Sequence, residues 1–278
     1  MDLDKVKMLK KMCIKVREDS IKTQKIAGSG HLGGAFSATE IMVYLYFDKM
    51  NIDPQNSLKE NRDIFVLSKG HASVGYYSVL ARRGFFPLDE LKTYRQINSR
   101  LQGHTHMDDA PGIECSTGSL GQGLSFGIGL ALGYKKKGLH NIVYVMLGDG
   151  ELEEGQVWEA ILLQGYLKLD NLVTIVDSNK LQLDDFVNKI SGINRLKEKF
   201  ESFDFNVIEI DGHDLNDIDY AFNSIENCKA NVVIANTIKG KGISFMENGV
   251  EWHSKKPNEV EYIKALEELK EQEALINE

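Results

Sequence analysis

The chain has 278 residues, 42% of them hydrophobic, which is enough to build a large buried core. Its formal net charge of −8 argues against nucleic acid or an anionic membrane surface as a partner. The three cysteines are far apart and form no Cys-x-x-Cys pair, so neither a disulfide framework nor a zinc site is indicated. With no signal-peptide pattern and no apolar run approaching ~18 residues, we expect a cytoplasmic protein.

The first part of the chain predicts helices joined by a glycine-rich loop. The spacing of apolar residues predicts an amphipathic helix over 3–26 and a loop over 28–34. Ser37 and Glu40 match a capping box at the start of a helix over 41–50.

A short strand is expected over 63–67, followed by a helix over 72–83. Residues 105–117 show no clear periodicity. From 118 to 129, glycine alternates with small residues ahead of a helix that ends near Lys137. Such a segment permits close backbone contact with a flat heterocycle or a diphosphate.

The most informative segment begins at an apolar run over 142–147, which is rich in β-branched residues, too short for an amphipathic helix, and ends at Gly148-Asp-Gly150. A helix over 151–169 and a second strand over 171–176 complete a right-handed βαβ unit. The carboxyl ends of parallel strands meet at one edge of a sheet, so we expect Asp149 and Asn179 to lie there together. The predicted fold class is α/β, with a doubly wound parallel sheet.

The residue types at this edge suit a magnesium diphosphate site. Mg²⁺ prefers oxygen ligands, and one carboxylate, one amide oxygen and a backbone carbonyl leave room for phosphate oxygens. Gly148 and Gly150 let the backbone approach the phosphates. The helix amides point toward an anion, whereas Glu151, Glu153 and Glu154 oppose one, a conflict that a divalent cation would relieve.

Four histidines lie in loops beside Gly, Ser or Trp: His31, His71, His104 and His253. A loop imidazole can titrate near neutral pH and exchange protons with hydroxyl groups. We expect these four to be functional. Solvent-exposed positions are expected for His106 and His140.

The remaining features predict packing. We expect a structural role for His213, with Asp214 capping the next helix. Residues 257–278 predict a charged surface helix that packs through four apolar residues, Val260, Ile263, Leu266 and Leu269.

Together these motifs resemble the thiamine diphosphate enzymes, and most closely the N-terminal half of transketolases. The shared core is Gly148-Asp-Gly150, a spacer of 28 residues and the terminal Asn179. Further matching segments follow the same order: Ser29-Gly-His-Leu-Gly33, Leu67-Ser-Lys-Gly-His71, Gly103-His104, Ser116-Thr-Gly-Ser-Leu-Gly-Gln-Gly123, Glu154-Gly155, Asp177-Ser-Asn-Lys180, Asp211-Gly-His-Asp214 and Trp252-His253.

The resemblance implies a set of site residues. The metal ligands would be Asp149, Asn179 and the backbone carbonyl of Leu181, holding Mg²⁺ or another divalent cation such as Ca²⁺ or Mn²⁺. The implied contacts to thiamine diphosphate are His71, Gly118, Leu120, Gly148, Gly150, Asn179 and His253. The resemblance further implies that Glu154 links two cofactor sites across a dimer. His31, His104 and His253 would face the sugar, and His71 would also reach the diphosphate.

The resemblance also implies a reaction and a partner. The reaction is transfer of a two-carbon ketol unit from a ketose phosphate to an aldose phosphate, as in the pentose phosphate pathway. Residues 1–278 match a single diphosphate-binding domain, without the pyrimidine-binding and C-terminal domains of full-length transketolases. The expected protein is therefore the N-terminal subunit of a split transketolase, active only with a C-terminal subunit in a 2+2 heterotetramer.

Two departures from the family pattern spare the ligand side chains. Gly30-His-Leu replaces the usual Gly-His-Pro, and Ser178-Asn179 replaces the paired asparagines of many relatives in the wider superfamily.

Three alternatives remain at this stage. A magnesium phosphatase would need a nucleophilic aspartate after an early strand, and Asp2 and Asp4 follow none. A non-catalytic regulatory paralogue would not need the intact ligand and histidine positions. A related split ketol-transferase acting on an unusual ketose would share all of these residues.

Overall fold

A computed structural model of the chain describes residues 1–183, 185–191 and 193–277. The helices in chain order are α1 Leu3–Ala27, α2 Leu32–Ser37, α3 Thr39–Tyr44, α4 Ser73–Arg83, α5 Gln122–Lys137, α6 Gly155–Leu167, α7 Val187–Ile190, α8 Leu196–Glu201, α9 Leu215–Asn223 and α10 Glu259–Asn277. The strands are β1 Ile64–Leu67, β2 Val143–Gly148, β3 Leu172–Ser178, β4 Leu181–Gln182, β5 Asp185–Phe186, β6 Asn206–Asp211 and β7 Asn231–Asn236.

The main sheet has five strands in the order β1-β2-β3-β7-β6, and every neighbouring pair is parallel. Gly148 at the end of β2 pairs with Asp177, and Ser178 at the end of β3 pairs with Asn236 at the end of β7. The carboxyl ends of the three central strands are therefore level, and the loops after them share one edge. β4 and β5 form a separate antiparallel ribbon.

Helices cover both faces of the sheet. Tyr144 and Met146 of β2 join a core with α1 to α4, α9 and α10, whereas Val143 and Val145 join a second core with α5, α6 and α8. Consecutive strand residues point to opposite faces, so one buried strand supplies both cores. The predicted doubly wound α/β class is confirmed.

The predicted capping box is wrong. Ser37 is the last residue of α2, and its hydroxyl donates to the buried carboxylate of Asp177 at 2.6 Å. Glu40 lies within α3 and pairs with Arg17 at 2.7 Å and with His213 at 3.0 Å. Although burial alone would raise the pKa of Glu40, Arg17 and His213 bring it down to about 2. These distant buried partners, and not a local cap, determine both side-chain positions.

Several other boundaries differ from those predicted. The loop predicted over 28–34 is shorter, because α2 begins at Leu32. The helix expected over 151–169 begins as a 3-10 turn, Gly150–Glu153, before α6. In this turn the carboxylate of Glu151 is buried and accepts from the Gly148 amide at 3.1 Å, from the Gly121 amide at 2.9 Å and from the Ser68 hydroxyl at 2.5 Å.

The C-terminal helix packs through part of the predicted face. Leu269 is buried and Leu266 packs against the core as predicted, whereas Val260 and Ile263 are 75% and 54% exposed. Ala265, four residues before Leu269, is buried in addition. The predicted last residue, Glu278, lies outside the described residues. Within the described chain, no helix has both the length and the apolar character needed to cross a membrane.

His213 and Asp214 have the predicted structural roles. Nε2 of His213 accepts from the Ile238 amide at 2.8 Å, so Nδ1 carries the hydrogen that is donated to Glu40. Asp214 caps α9 by accepting from the Asn216 amide at 2.7 Å.

Candidate active site

Four loops bring the predicted histidines together. His31 precedes α2, His71 lies in a 3-10 turn after β1, His104 lies in an irregular segment, and His253 lies in a 3-10 turn before α10. The ring centroid of His31 is 5.5 Å from that of His71, 6.4 Å from that of His104 and 5.1 Å from that of His253. We call this group the histidine cluster.

The imidazoles of the histidine cluster are uncharged at neutral pH. Burial lowers the pKa of His31 and His253 to about 4. After burial, the largest contribution comes from the charge of Arg95 for His31 and from that of Lys239 for His253. The other two pKa values are also lowered, again mainly by burial. Titration near neutral pH, expected from the loop positions, is therefore wrong for the isolated chain. As neutral groups, these rings can accept protons.

Asp149 and Asn179 lie at adjacent strand ends, as their spacing predicted. The Asp149 carboxylate accepts from the Gly150 amide at 2.9 Å and from the Lys180 amide at 2.5 Å. Asp149 is only 4% exposed, and burial, together with Asp177, raises its pKa to about 6. A buried carboxylate at this edge thus lacks full compensation for its charge.

A buried ion pair lies beneath this edge. Lys69 pairs with Asp177, and the Lys69 ammonium also donates to the Gly34 carbonyl at 2.7 Å. Asp177 accepts further hydrogen bonds from Ser37, from Thr237 and, at 3.3 Å, from the amide of Asn179. Burial would raise the pKa of Asp177, but Lys69 and these donors lower it. One carboxylate therefore joins four segments around the site.

Lys239 connects the histidine cluster to the strand ends. Its ammonium lies 3.2 Å from Nδ1 of His253 and 3.4 Å from the carbonyl oxygen of Leu181. Burial and the nearby charge of Lys69 lower the pKa of Lys239 to about 8. The predicted metal-ligand carbonyl thus already faces a cation.

The predicted cofactor-contact residues flank these groups. Gly118 has φ +133°, and a β-carbon there would lie 3.1 Å from His104. Leu120 is half-buried on the same segment. Gly150 faces the side chain of Gln182, since a β-carbon there would lie 3.0 Å from its oxygen. Glu154 is exposed and packs against Gly121 at the start of α5.

A cavity of about 600 Å³ opens beside Asp149, between the strand ends and residues 186–188 and 193–198. Its lining includes Asp149 and Lys180 but none of the histidine cluster. The titratable groups of the histidine cluster therefore lie outside this cavity.

Comparison with known proteins places this arrangement in a family. The family described as "Transketolase, thiamine diphosphate binding domain" matches residues 9–271. The chain belongs to the transketolase family. Its fold and loops are therefore those of the thiamine diphosphate-binding domain of a transketolase.

Individual transketolases support the assignment. The chain is 46% identical over 244 residues to an apulose-4-phosphate transketolase subunit of Actinobacillus succinogenes, covering 87% of this chain and 88% of that protein. It is 39% identical over 249 residues to a 6-deoxy-6-sulfo-D-fructose transketolase subunit of a Clostridium species, covering 89% and 90%. The Campylobacter jejuni transketolase structure matches with a TM-score of 0.85 and 28% identity, covering 100% of this chain and 48% of that one. The chain thus spans about half the length of that transketolase.

Sequence reasoning missed the charged residues around the predicted ones. Lys69 lies within the Ser68-Lys-Gly-His71 motif, but the motif itself indicates no role for its side chain. Lys239 begins a Lys-Gly-Lys-Gly run just after β7, and such a run at a strand end was a usable signal. The buried roles of Asp177 and Glu151 gave no signal, because most of their partners are distant in sequence: Ser37, Lys69 and Thr237 for Asp177, and Ser68 and Gly121 for Glu151.

Proposed function

We propose that this chain is the thiamine diphosphate-binding subunit of a two-chain transketolase that transfers a two-carbon ketol unit between sugar phosphates. The observation that carries the proposal is the convergence of the histidine cluster with Asp149, Asn179 and Leu181, connected through Lys239.

The residues fit a divalent cation, for which we propose Mg²⁺. The ligands would be the Asp149 carboxylate, the Asn179 side-chain oxygen and the Leu181 carbonyl. The raised pKa of Asp149 supports this assignment, because a nearby cation would stabilise the ionised form. The described residues contain no group of three or more His, Cys, Asp or Glu side chains able to hold a metal. The proposed set has only one carboxylate, which is usual for Mg²⁺ bound jointly with phosphates.

Bound thiamine diphosphate would supply the carbon centre at which a carbon–carbon bond is broken and formed. The chain's own residues would orient the sugar and move protons. A neutral imidazole in the histidine cluster can accept the proton of a sugar hydroxyl, which a protonated one cannot. The proposed contacts to the diphosphate side are His71, Gly118, Leu120, Gly148 and Gly150. Lys239, which the sequence did not reveal, would add a positive charge there.

We propose that residues 1–278 act as one diphosphate-binding domain and that a second chain supplies the pyrimidine-binding domain, in a 2+2 assembly with Glu154 between the two cofactor sites. Two relatives that match over most of their length carry "subunit" in their names, which supports this arrangement. Cys13, Cys115 and Cys228 are free thiols, in keeping with a cytoplasmic location.

The test is reconstitution. The chain is assayed for two-carbon transfer alone and with a C-terminal transketolase subunit, in Mg²⁺ and thiamine diphosphate. We expect turnover only in the mixture. Turnover by the chain alone would contradict the two-chain proposal, and inactivity of a correctly assembled complex on every ketose would favour a non-catalytic paralogue.

A second candidate is a ketol-transferase for an unusual ketose. The names of the two relatives, which refer to apulose 4-phosphate and 6-deoxy-6-sulfo-D-fructose, favour it. Both ketoses belong in the donor panel beside ordinary ketose phosphates, and the ratio of kcat/KM values decides between the two candidates.

A further inference from the structure

Arg95 has an unusual backbone conformation at the rim of the histidine cluster. Its φ of +59° lies in the left-handed region, which costs a non-glycine residue about 1–3 kcal/mol. The conformation is held by its amide, which donates to the Leu101 carbonyl at 2.9 Å. Such strain persists only when surrounding contacts determine it, and it directs attention to what the side chain does.

One side of the Arg95 guanidinium holds the loop of His31. Nη1 donates to the hydroxyl of Ser29 at 3.2 Å, two residues before that histidine. Nε donates to the Tyr94 hydroxyl at 3.2 Å, and the guanidinium lies 5.7 Å from the Tyr94 ring centroid. These contacts fix the plane of the guanidinium.

The other side lies against the loop of His104. A β-carbon on Gly103 would be 2.7 Å from Nη2 of Arg95, so the guanidinium packs directly on this backbone. The Tyr94 hydroxyl is 3.2 Å from that of Ser73, which donates to the Gly103 carbonyl at 2.7 Å. Arg95 therefore contacts the residues that precede both histidines.

We propose that Arg95 is a positioning residue that holds the His31 and His104 loops at a fixed separation, so that both imidazoles are placed for proton transfer. The positioning of the two loops rests on the contacts of Arg95 described above, whereas its effect on turnover rests on the proposed function.

Electrostatics agree with the contacts. After burial, the charge of Arg95 is the largest contribution that lowers the pKa of His31, and it also lowers that of His104. His31 is also faced by His71, His104, His253 and Lys239. Removing the positive charge of Arg95 alone would therefore raise the pKa of both histidines while leaving the other groups in place.

The test uses Arg95→Gln, which removes charge and geometry, and Arg95→Lys, which keeps the charge but cannot reach both Ser29 and Tyr94. Arg100→Gln is the matched control, since Arg100 lies on the same segment and pairs with Glu90. Histidine side-chain NMR signals are followed from pH 5 to 8 in the chain alone. Turnover and thiamine diphosphate affinity are measured with the partner subunit.

We expect the His31 and His104 signals to begin titrating at higher pH in Arg95→Gln than in wild type, and to stay near wild type in Arg95→Lys. The kcat should fall about tenfold or more in both, because misplacement of catalytic groups by about 1 Å can cost 10²-fold. Cofactor affinity should remain within about twofold of wild type. The pH profile of kcat/KM should shift in Arg95→Gln only, which a purely structural role would not produce.

Arg95→Gln behaving like Arg100→Gln in both titration and turnover would overturn the proposal. If Arg95→Gln does not fold, Arg95→Lys decides: wild-type kcat there refutes the positioning role. The titration needs neither partner nor substrate, so an inactive wild-type complex would count against the proposed function without affecting the Arg95 result.

Discussion

The proposed metal site is tested most sharply by Asp149→Asn, studied first in the presence of a chelator. Asp149 has its ordinary pKa of 3.8 when unfolded, and burial followed by the charge of Asp177 raises it to about 6 in the folded chain. At 1.36 kcal/mol for each pKa unit, this difference corresponds to roughly 3 kcal/mol. Above pH 6, the folded metal-free chain therefore bears an ionised group that burial disfavours.

The size of the effect depends on pH. Because the folded pKa is the higher one, the contribution of Asp149 to stability is complete below pH 3.8 and is lost as the pH rises through about 6. Asparagine avoids that loss, because it stays neutral at every pH. At pH 4 the folded Asp149 is itself a protonated carboxyl, which, like asparagine, has one carbonyl oxygen to accept from the Gly150 and Lys180 amides. We expect Asp149→Asn to have nearly the stability of wild type at pH 4, and to be more stable at pH 8 by about 2–3 kcal/mol.

The assay is urea unfolding at several pH values. Asp108→Asn is the control, because Asp108 is exposed and its φ of +74° suits asparagine. At pH 8, added Mg²⁺ and thiamine diphosphate at a hundred times Kd should stabilise wild type by about 2.7 kcal/mol and leave Asp149→Asn unchanged. An equal stability difference between Asp149→Asn and wild type at pH 4 and pH 8 would refute the reasoning.

Three further outcomes are expected. Gly121→Ala should lower the free energy of unfolding, measured by urea titration, by about 1–3 kcal/mol, because Gly121 has φ +83° and an added β-carbon would lie 2.9 Å from the Glu154 side chain. Gly84→Ala, at an open helix end, should cost less. The pKa of His31 and that of His253 are lower in the folded chain than in the unfolded one, so the free energy of unfolding should fall as the pH drops from 6.5 to about 4, on the order of 1–2 kcal/mol after solvent screening. Urea unfolding of a variant with both histidines replaced by asparagine, His31→Asn and His253→Asn, should lack this fall. Lys239→Met should weaken calorimetric binding of magnesium thiamine diphosphate about tenfold or more, and unchanged affinity would remove Lys239 from the site.

The sheet edge was predictable because its signals are local. The apolar run before Gly148 and the one before Asn179 each identify a strand by composition, and parallel pairing then places their ends together. Loop positions beside Gly, Ser or Trp identified the four histidines. In the structure, the ring centroids of the other three lie within 6.4 Å of that of His31.

The remainder depends on contacts that are distant in sequence. Lys69 and Asp177 are 108 positions apart, and Ser37 and Asp177 are 140 apart, so no local pattern pairs them. The pKa values of the histidine cluster depend mainly on burial, and a loop-like sequence does not indicate that these side chains are buried. The capping-box error has the same origin, because a Ser-x-x-Glu pattern looks local while both side chains bond elsewhere.

The many hydrogen bonds to Asp177 bear on how such a protein can diversify. The segments that carry Ser37, Lys69, Asn179 and Thr237 all meet at this one interior carboxylate, so a change in one of them disturbs the packing of the others. In the proposed two-chain enzyme, we therefore expect changes in sugar preference to arise at the open rim or on the second chain, where a substitution leaves this interior carboxylate and its partners intact.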